Sequence, residues 1–135
     1  MAEITSMTFT IHAGYPNLGL MWVVIEIYGE ILAALLDTGS LRNLLPKVVV
    51  DQLGIQPQPY FAMIQGVNGE STHVIALLDV CVWIGQWSGV CTLLVIHLDN
   101  VECILGMDFF VSNKASLTPH MGEMLIGDGT NQCYV

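Results

Sequence analysis

Positive charge is scarce in this chain: three Lys+Arg stand against twelve Asp+Glu among 135 residues, for a net charge of −9. Charged residues of all kinds make up 11%, against about 25% in an average soluble domain. So few cations leave no basic patch for a phosphate backbone, which argues against nucleic acid as a direct partner. So few charges also argue against a disordered chain or a charge-laced coiled coil. The N-terminal MAEITSMTFTIHAG has no cationic region and no long apolar run, so it is not expected to act as a signal peptide. The longest uncharged stretch of the apolar middle, Val80–Leu98, is interrupted by Gly85-Gln86-Trp87-Ser88-Gly89 and flanked by Asp79 and Asp99. Two strands and a turn fit it better than a membrane helix. Cys81, Cys91, Cys103 and Cys133 lack metal-ligand spacing, and no His/Cys/Asp/Glu constellation suggests a metal or other cofactor. The four cysteines could in principle form a disulfide framework, but a core of this size does not need one, and they are expected to be reduced, structural thiols in a cytosol-like compartment.

What is present is apolar residue, 53% of the chain. Size scaling buries about two-thirds of the surface of a chain this long, enough for one domain with a core over residues 1–135 and too little for two. A domain this apolar and lightly charged is expected to hide surface in an oligomer. Short β-branched and aromatic runs alternate with turn residues. Strands are expected over Met7–His12, Leu20–Tyr28, Ile31–Leu36, Tyr60–Val67, Ser71–Val82 leading into Val80–Ile84, Val90–His97, Val101–Leu105 and Met124–Ile126. A Gly-Tyr-Pro-Asn loop at Gly14, a Gly29-Glu30 turn and a Gln86-Trp87-Ser88-Gly89 turn separate some of them. Asn68-Gly69 is the strongest hairpin signal. Pro46–Leu53 reads as one short helix of one or two turns, opened by proline and stopped by Gly54. The pattern is all-β, a barrel or sandwich.

The informative position is Asp37, which follows six apolar residues in Ile31–Leu36 and opens Asp37-Thr38-Gly39-Ser40. An acid there either begins an ordinary turn by bonding backbone amides or serves chemistry, because burying it alone is costly. The segment Leu20–Ser40 resembles the start of a retroviral-type (retropepsin-like) aspartic protease: strand, glycine turn, apolar strand, Asp-Thr-Gly. The second hallmark of that family, two apolar residues then glycine, occurs as Ile104-Leu105-Gly106, with Gly106 69 positions after Asp37. The form Ile104-Leu105-Gly106-Met107-Asp108-Phe109-Phe110 is most similar to proteases of long-terminal-repeat retrotransposons and cellular retroviral-like proteases. Matching features run from Leu20 to about Ile126.

The resemblance implies an acid-protease barrel with one lobe per chain and both termini in a dimer interface. Asp37 is implied as the catalytic carboxylate, and Thr38 as a brace across a two-fold axis. Gly39 is implied as a close-approach amide donor and Ser40 as an outer hydrogen-bond donor to the aspartate. Gly106, behind Ile104 and Leu105, is implied to pass so near the catalytic loop that no Cβ fits. The hairpin around Gln65, Gly66, Val67, Asn68 and Gly69 is implied as the flap over a bound peptide; an ordinary surface hairpin has the same local sequence. The chain carries one Asp-Thr-Gly, and Asp79 and Asp128 lack the residues around them to supply another. An identical chain is therefore the implied partner, and a peptide or polyprotein the implied substrate. The compartment would be the cytoplasm or a virus-like particle.

Simpler retroviral enzymes place arginine directly after the second-motif glycine, where this chain has Met107. Arg42 is expected to pair with Asp108 in its stead; otherwise Arg42 faces solvent and Asp108 caps a helix. Three other readings compete. A catalytically silent dimerisation or peptide-binding module would keep the same fold. A ligand-carrying barrel leaves Asp-Thr-Gly unexplained. His12, His73, His97 and His120 form no hydrolase motif with Ser40 or a cysteine.

Overall fold

The computed structural model describes residues 7–10, 12–15, 20–65 and 71–127. In chain order the strands are β1 (Met7–Thr10), β2 (His12–Tyr15), β3 (Leu20–Ile27), β4 (Glu30–Leu36), β5 (Asn43–Pro46) and β6 (Gln58–Gln65). They continue with β7 (Ser71–Ile84), β8 (Trp87–Ile96), β9 (Cys103–Leu105), β10 (Ala115–Thr118) and β11 (Glu123–Ile126). Helix α1 (Lys47–Leu53) follows β5, and α2 (Met107–Ser112) follows β9.

Period-two burial builds the strands. Val23, Ile25 and Ile27 of β3 point into the core while Val24 lies outside. The turn to β4 is Tyr28-Gly29, one residue earlier than expected, because Ile27 pairs with Glu30. Both turn residues have positive φ, 51° and 78°, the mirror-image geometry that suits a twisted hairpin. The β7–β8 turn also differs from expectation: Ile84 pairs with Trp87, leaving Gly85-Gln86 as the turn. Trp87 is 1% exposed and packs edge-to-face on Phe109, ring centroids 5.8 Å apart. Burying that indole outweighs its turn-like neighbours. Val80–Leu98 thus forms parts of two strands, and among the described residues no helix is long and apolar enough to cross a membrane.

Near the N-terminus the expected single strand is two. β1 pairs with β11 and β2 with β3, so the chain changes sheets between Thr10 and His12. Gly14 and Tyr15, expected in a loop, belong to β2; Pro16 and Asn17 lie outside the described residues. Helix α1 starts after Pro46 and ends at Gly54, whose φ of 70° closes it. Its valines tolerate helix because Val49 and Val50 are buried.

One sheet runs β2-β3-β4-β9-β5-β8-β7-β6, and β7 also pairs with β3 through Glu26↔Trp83 and Ile27↔Val82. The strands β3-β4-β9-β5-β8-β7 therefore close into a barrel, with β2 and β6 as extensions. A second sheet has the order β1-β11-β10. The architecture is the all-β closed barrel expected from sequence. Ile25, Ile27, Leu45, Val82, Leu93 and Leu105 fill its centre. A smaller cluster of Val74, Leu94 and Ile96 sits beneath Ala62 and Ile64 of the β6–β7 hairpin.

The cysteines require a correction. Cys91 and Cys103 are free and buried, but Cys81 is disulfide-bonded, so the expectation of four reduced thiols does not stand. Cys81 faces outward from β7 and is only half-buried, so it never had the shielded setting of a core thiol. Cys133 lies outside the described residues.

Candidate active site

Strand β4 delivers Asp37 to a loop held from below by the segment that follows β9. β4 and β9 run parallel, in the register Ala34↔Cys103, Leu35↔Ile104 and Leu36↔Leu105. The ladder continues one step beyond β4, where the Asp37 amide donates to the Leu105 carbonyl at 3.0 Å. Met107 N–H then donates to Ser40 O at 2.7 Å, and Asp108 N–H to Leu41 O at 3.1 Å. Within the loop, Ser40 N–H donates to Asp37 O at 3.1 Å and Gly39 N–H to Asp37 Oδ1 at 2.9 Å. A Cβ on Gly39 would lie 3.1 Å from that same oxygen, so glycine allows the amide its approach.

Gly106 is the point of closest passage. A Cβ there would stand 2.5 Å from the backbone oxygens of both Ser40 and Arg42. Ile104 and Leu105 beside it are buried. Gly106 N–H donates to Asn43 Oδ1 at 2.9 Å, and Asn43 Nδ2 donates to Thr92 O at 3.3 Å. One amide side chain, 3% exposed, thus joins β5, β8 and the glycine beneath the Asp37 loop.

Ser40 differs from expectation: its hydroxyl donates to Arg42 O at 2.8 Å rather than to the aspartate. The tight turn from Ser40 to Arg42 puts that carbonyl within easier reach. Arg42 Nε donates to Asp108 Oδ2 at 2.6 Å, with both side chains a little under half exposed. Asp108 does not cap α2, since the N-cap position is Gly106 and no side-chain cap bond forms. It lies in the first helical turn instead, where a carboxylate suits the helix dipole. Thr38 and Gly39 are exposed and Asp37 half-buried, so the loop opens to the surface.

The β6–β7 hairpin is antiparallel up to Gln65↔Ser71, with a register shift between Pro59 and Ala62; Gly66, Val67, Asn68 and Gly69 lie outside the described residues. An apolar cavity of about 520 Å³ lies along this hairpin, lined by Ala62, Met63, His73, Val74 and Ile75. Among the described residues no group of three or more His, Cys, Asp or Glu is placed to hold a metal.

Sequence reasoning missed two polar residues. Asn43 is one. Glu102 is the other: its Oε1 accepts the Ala33 amide at 2.7 Å, one step before β9 joins β4 at Ala34↔Cys103. Each interrupts or opens an apolar run, before Leu44-Leu45 and before Cys103-Ile104-Leu105, and that interruption was the available signal.

The family model of the gag-polyprotein putative aspartyl protease matches residues 23–112, from mid-β3 to the end of α2. The chain belongs to this family. The matched span contains both halves of the bracing just described, Asp37 with its loop and Gly106 with its neighbours. Solved structures show the same fold. A retropepsin-like aspartic protease from Rickettsia conorii aligns at TM-score 0.63 and 14% identity, over 93% of this chain and 94% of its own. EIAV protease in complex with the inhibitor HBY-793 aligns at 0.61 and 24% identity, over 77% and 97%. The retroviral protease-like domain of Ddi1 from Leishmania major aligns at 0.59 and 15% identity, over 73% and 79%. No curated protein sequence matches the chain.

Proposed function

We propose that this gag-type aspartic protease domain is a homodimeric endopeptidase in which Asp37 from each of two copies forms the catalytic pair. The observation that carries the reading is the state of the Asp37 loop. It is braced by backbone and side-chain hydrogen bonds from below yet open at Thr38 and Gly39. The nearest acid in its bracing segment, Asp108, is taken by Arg42. Such a loop is half of a two-carboxylate site, completed by a copy related through a two-fold axis.

Peptide hydrolysis without a covalent intermediate needs one group to take a proton from water and another to polarise the scissile carbonyl. In aspartic proteases two carboxylates about 3 Å apart do both, because their like charge leaves one proton shared between them. The ionised carboxylate accepts the proton of the attacking water; the protonated one hydrogen-bonds the carbonyl oxygen. Breakdown of the tetrahedral species passes a proton to the leaving amine. Gly39 N–H orients the Asp37 oxygen, Thr38 braces the two loops against each other, and Gly106 fixes their depth. The β6–β7 hairpin, with Gln65, Gly66, Val67, Asn68 and Gly69 towards its tip, closes over an extended peptide. A polyprotein is the substrate.

The test is cleavage of a peptide library from mildly acidic to neutral pH, with pepstatin-type inhibition and Asp37→Asn as controls, beside sedimentation at varied protein concentration. Cleavage lost in Asp37→Asn, and rising with the dimer fraction, supports the proposal. Peptide binding without cleavage by the unmodified dimer marks a silent module and overturns it, as does cleavage that survives Asp37→Asn.

A further inference from the structure

A second recognition feature lies at the opposite end of β4 from Asp37. Seven residues of strand, Glu30 to Leu36, separate it from the catalytic loop, roughly 23 Å. There a cavity of about 720 Å³ opens on the outer barrel surface, lined by Glu26, Tyr28, Gly29, Asp79, Val80, Trp83 and the disulfide-bonded Cys81. Its construction follows from the barrel seam: Glu26 of β3 pairs directly with Trp83 of β7, which places a carboxylate beside an indole. Asp79 stands on the same outward row of β7, two steps below Trp83. Its Oδ1 accepts from Thr92 Oγ1 at 2.5 Å, which leaves the second carboxylate oxygen for another donor. Tyr28, held at positive φ in the turn, adds an aromatic ring at the rim. Exposed Ile31 continues the apolar surface.

Two carboxylates among aromatic faces match one ligand chemistry, a cation on an apolar stem. Lysine and arginine side chains carry their charge in this way, bury their methylenes and gain from ring faces. A second copy of this chain is poorly equipped to supply one. Of its three cationic side chains, Arg42 is paired with Asp108, Lys47 with Asp51, and Lys114 also has a partner. Charge complementarity therefore selects a different polypeptide.

We infer that this cavity is an accessory site for a lysine- or arginine-bearing segment of the protein substrate, remote from the scissile bond. Identifying the occupant as substrate rests on the proposed peptidase activity; the binding itself does not. A basic residue at least about seven positions from the cleaved bond reaches the cavity along an extended chain. The accessory contact adds binding without touching the reacting atoms, so it lowers KM and leaves kcat unchanged.

The experiment uses the full chain as Asp37→Asn, so that catalysis plays no part, and a capped octapeptide of alternating lysine and glycine as probe. The same peptide with glutamate for lysine is the control. Expected are amide shift changes at Glu26, Tyr28 and Trp83, affinity that falls with salt, and at least tenfold weaker binding in the double variant Glu26→Gln/Asp79→Asn. Both changes keep side-chain shape, and the amide introduced by Asp79→Asn retains an acceptor for Thr92; circular dichroism checks the fold. No shifts at millimolar peptide, shifts confined to the β6–β7 hairpin, or equal affinity in the double variant would each overturn the inference. So would equal binding of the glutamate peptide. In the active chain, a C-terminal lysine extension of a cleaved peptide lowers KM several-fold in the unmodified protein and not in the double variant. Cleavage that persists without any lysine effect removes the accessory site and leaves the peptidase reading intact.

Discussion

The α-carbon of Gly106 rests against the backbone of Arg42, so close that a Cβ would lie 2.5 Å from the Arg42 oxygen and equally close to that of Ser40. Both obstacles are main chain, which cannot rotate aside. Gly106→Ala must displace the Asp37–Arg42 loop or β9. Overpacking of this kind costs about 1–3 kcal/mol, and the expected outcome is that loss in denaturant unfolding together with loss of peptide cleavage. An alanine variant of unchanged stability and activity would contradict the geometry.

Asn43 is the hidden fastening of the same region. Asn43→Leu keeps the volume but leaves the buried Gly106 amide without its acceptor and the part-buried Thr92 carbonyl without this donor. An unsatisfied buried group costs about 1–3 kcal/mol, and urea unfolding is expected to show a loss in that range. Hydrogen exchange at Gly106 should rise in step. Asn43→Ser, which is too short to span both partners, is expected to fall between.

Glu102 has a milder expected effect because it is exposed. Glu102→Gln retains an acceptor for the Ala33 amide and is expected to be near neutral. Glu102→Ala leaves that amide to water, a loss of about 0.5–1.5 kcal/mol, with faster exchange at Ala33 and little change at the Asp37 amide. Equal exchange at Ala33 in both variants would contradict the assigned bond.

Arg42 and Asp108 separate stability from assembly. With both side chains a little under half exposed, their direct contribution to folding is at most about 1 kcal/mol. Arg42→Ala is expected to change unfolding by no more than that, while the proposed peptidase activity and dimer affinity fall, because the pair ties the end of the Asp37 loop to α2. Loss of neither would remove the pair from the mechanism.

The buried thiols set an alkaline limit. Burial pushes the Cys91 thiol from 9.0 to about 12, and burial, with Cys91 and Glu102 nearby, pushes Cys103 up further. A group raised in the folded state ionises first in the unfolded chain, so stability is complete below about pH 9 and declines as pH climbs towards 12. The decline is expected to be shallower in Cys91→Ala/Cys103→Ala. At neutral pH both thiols should resist alkylation until the chain unfolds.

The residues that could be read in advance were those whose chemistry is local. Asp37-Thr38-Gly39 after an apolar strand and Ile104-Leu105-Gly106 carry their pattern in a few adjacent residues, and strands β6 and β7 followed from their own β-branched and aromatic runs. Strand β5 was missed because its four residues gain strand character only from distant partners, parallel β8 and antiparallel β9. The β7–β8 turn was misplaced because Trp87 has turn-like neighbours and is held in strand by Phe109, 22 residues later. The Ser40 hydroxyl and the Cys81 disulfide depend on which acceptor or thiol lies nearest in space, a fact no local pattern records.

The bracing of the Asp37 loop also imposes an order on synthesis. The amide of Asp37 and the carbonyls of Ser40 and Leu41 are all bonded by residues 105 to 108, and β4 acquires its parallel neighbour only with β9. A nascent chain that has emerged as far as β8 therefore carries the Asp-Thr-Gly sequence without the bonds that shape its loop. The aspartate waits for about seventy further residues, and the ribosome is past them before the first loop can take its working form.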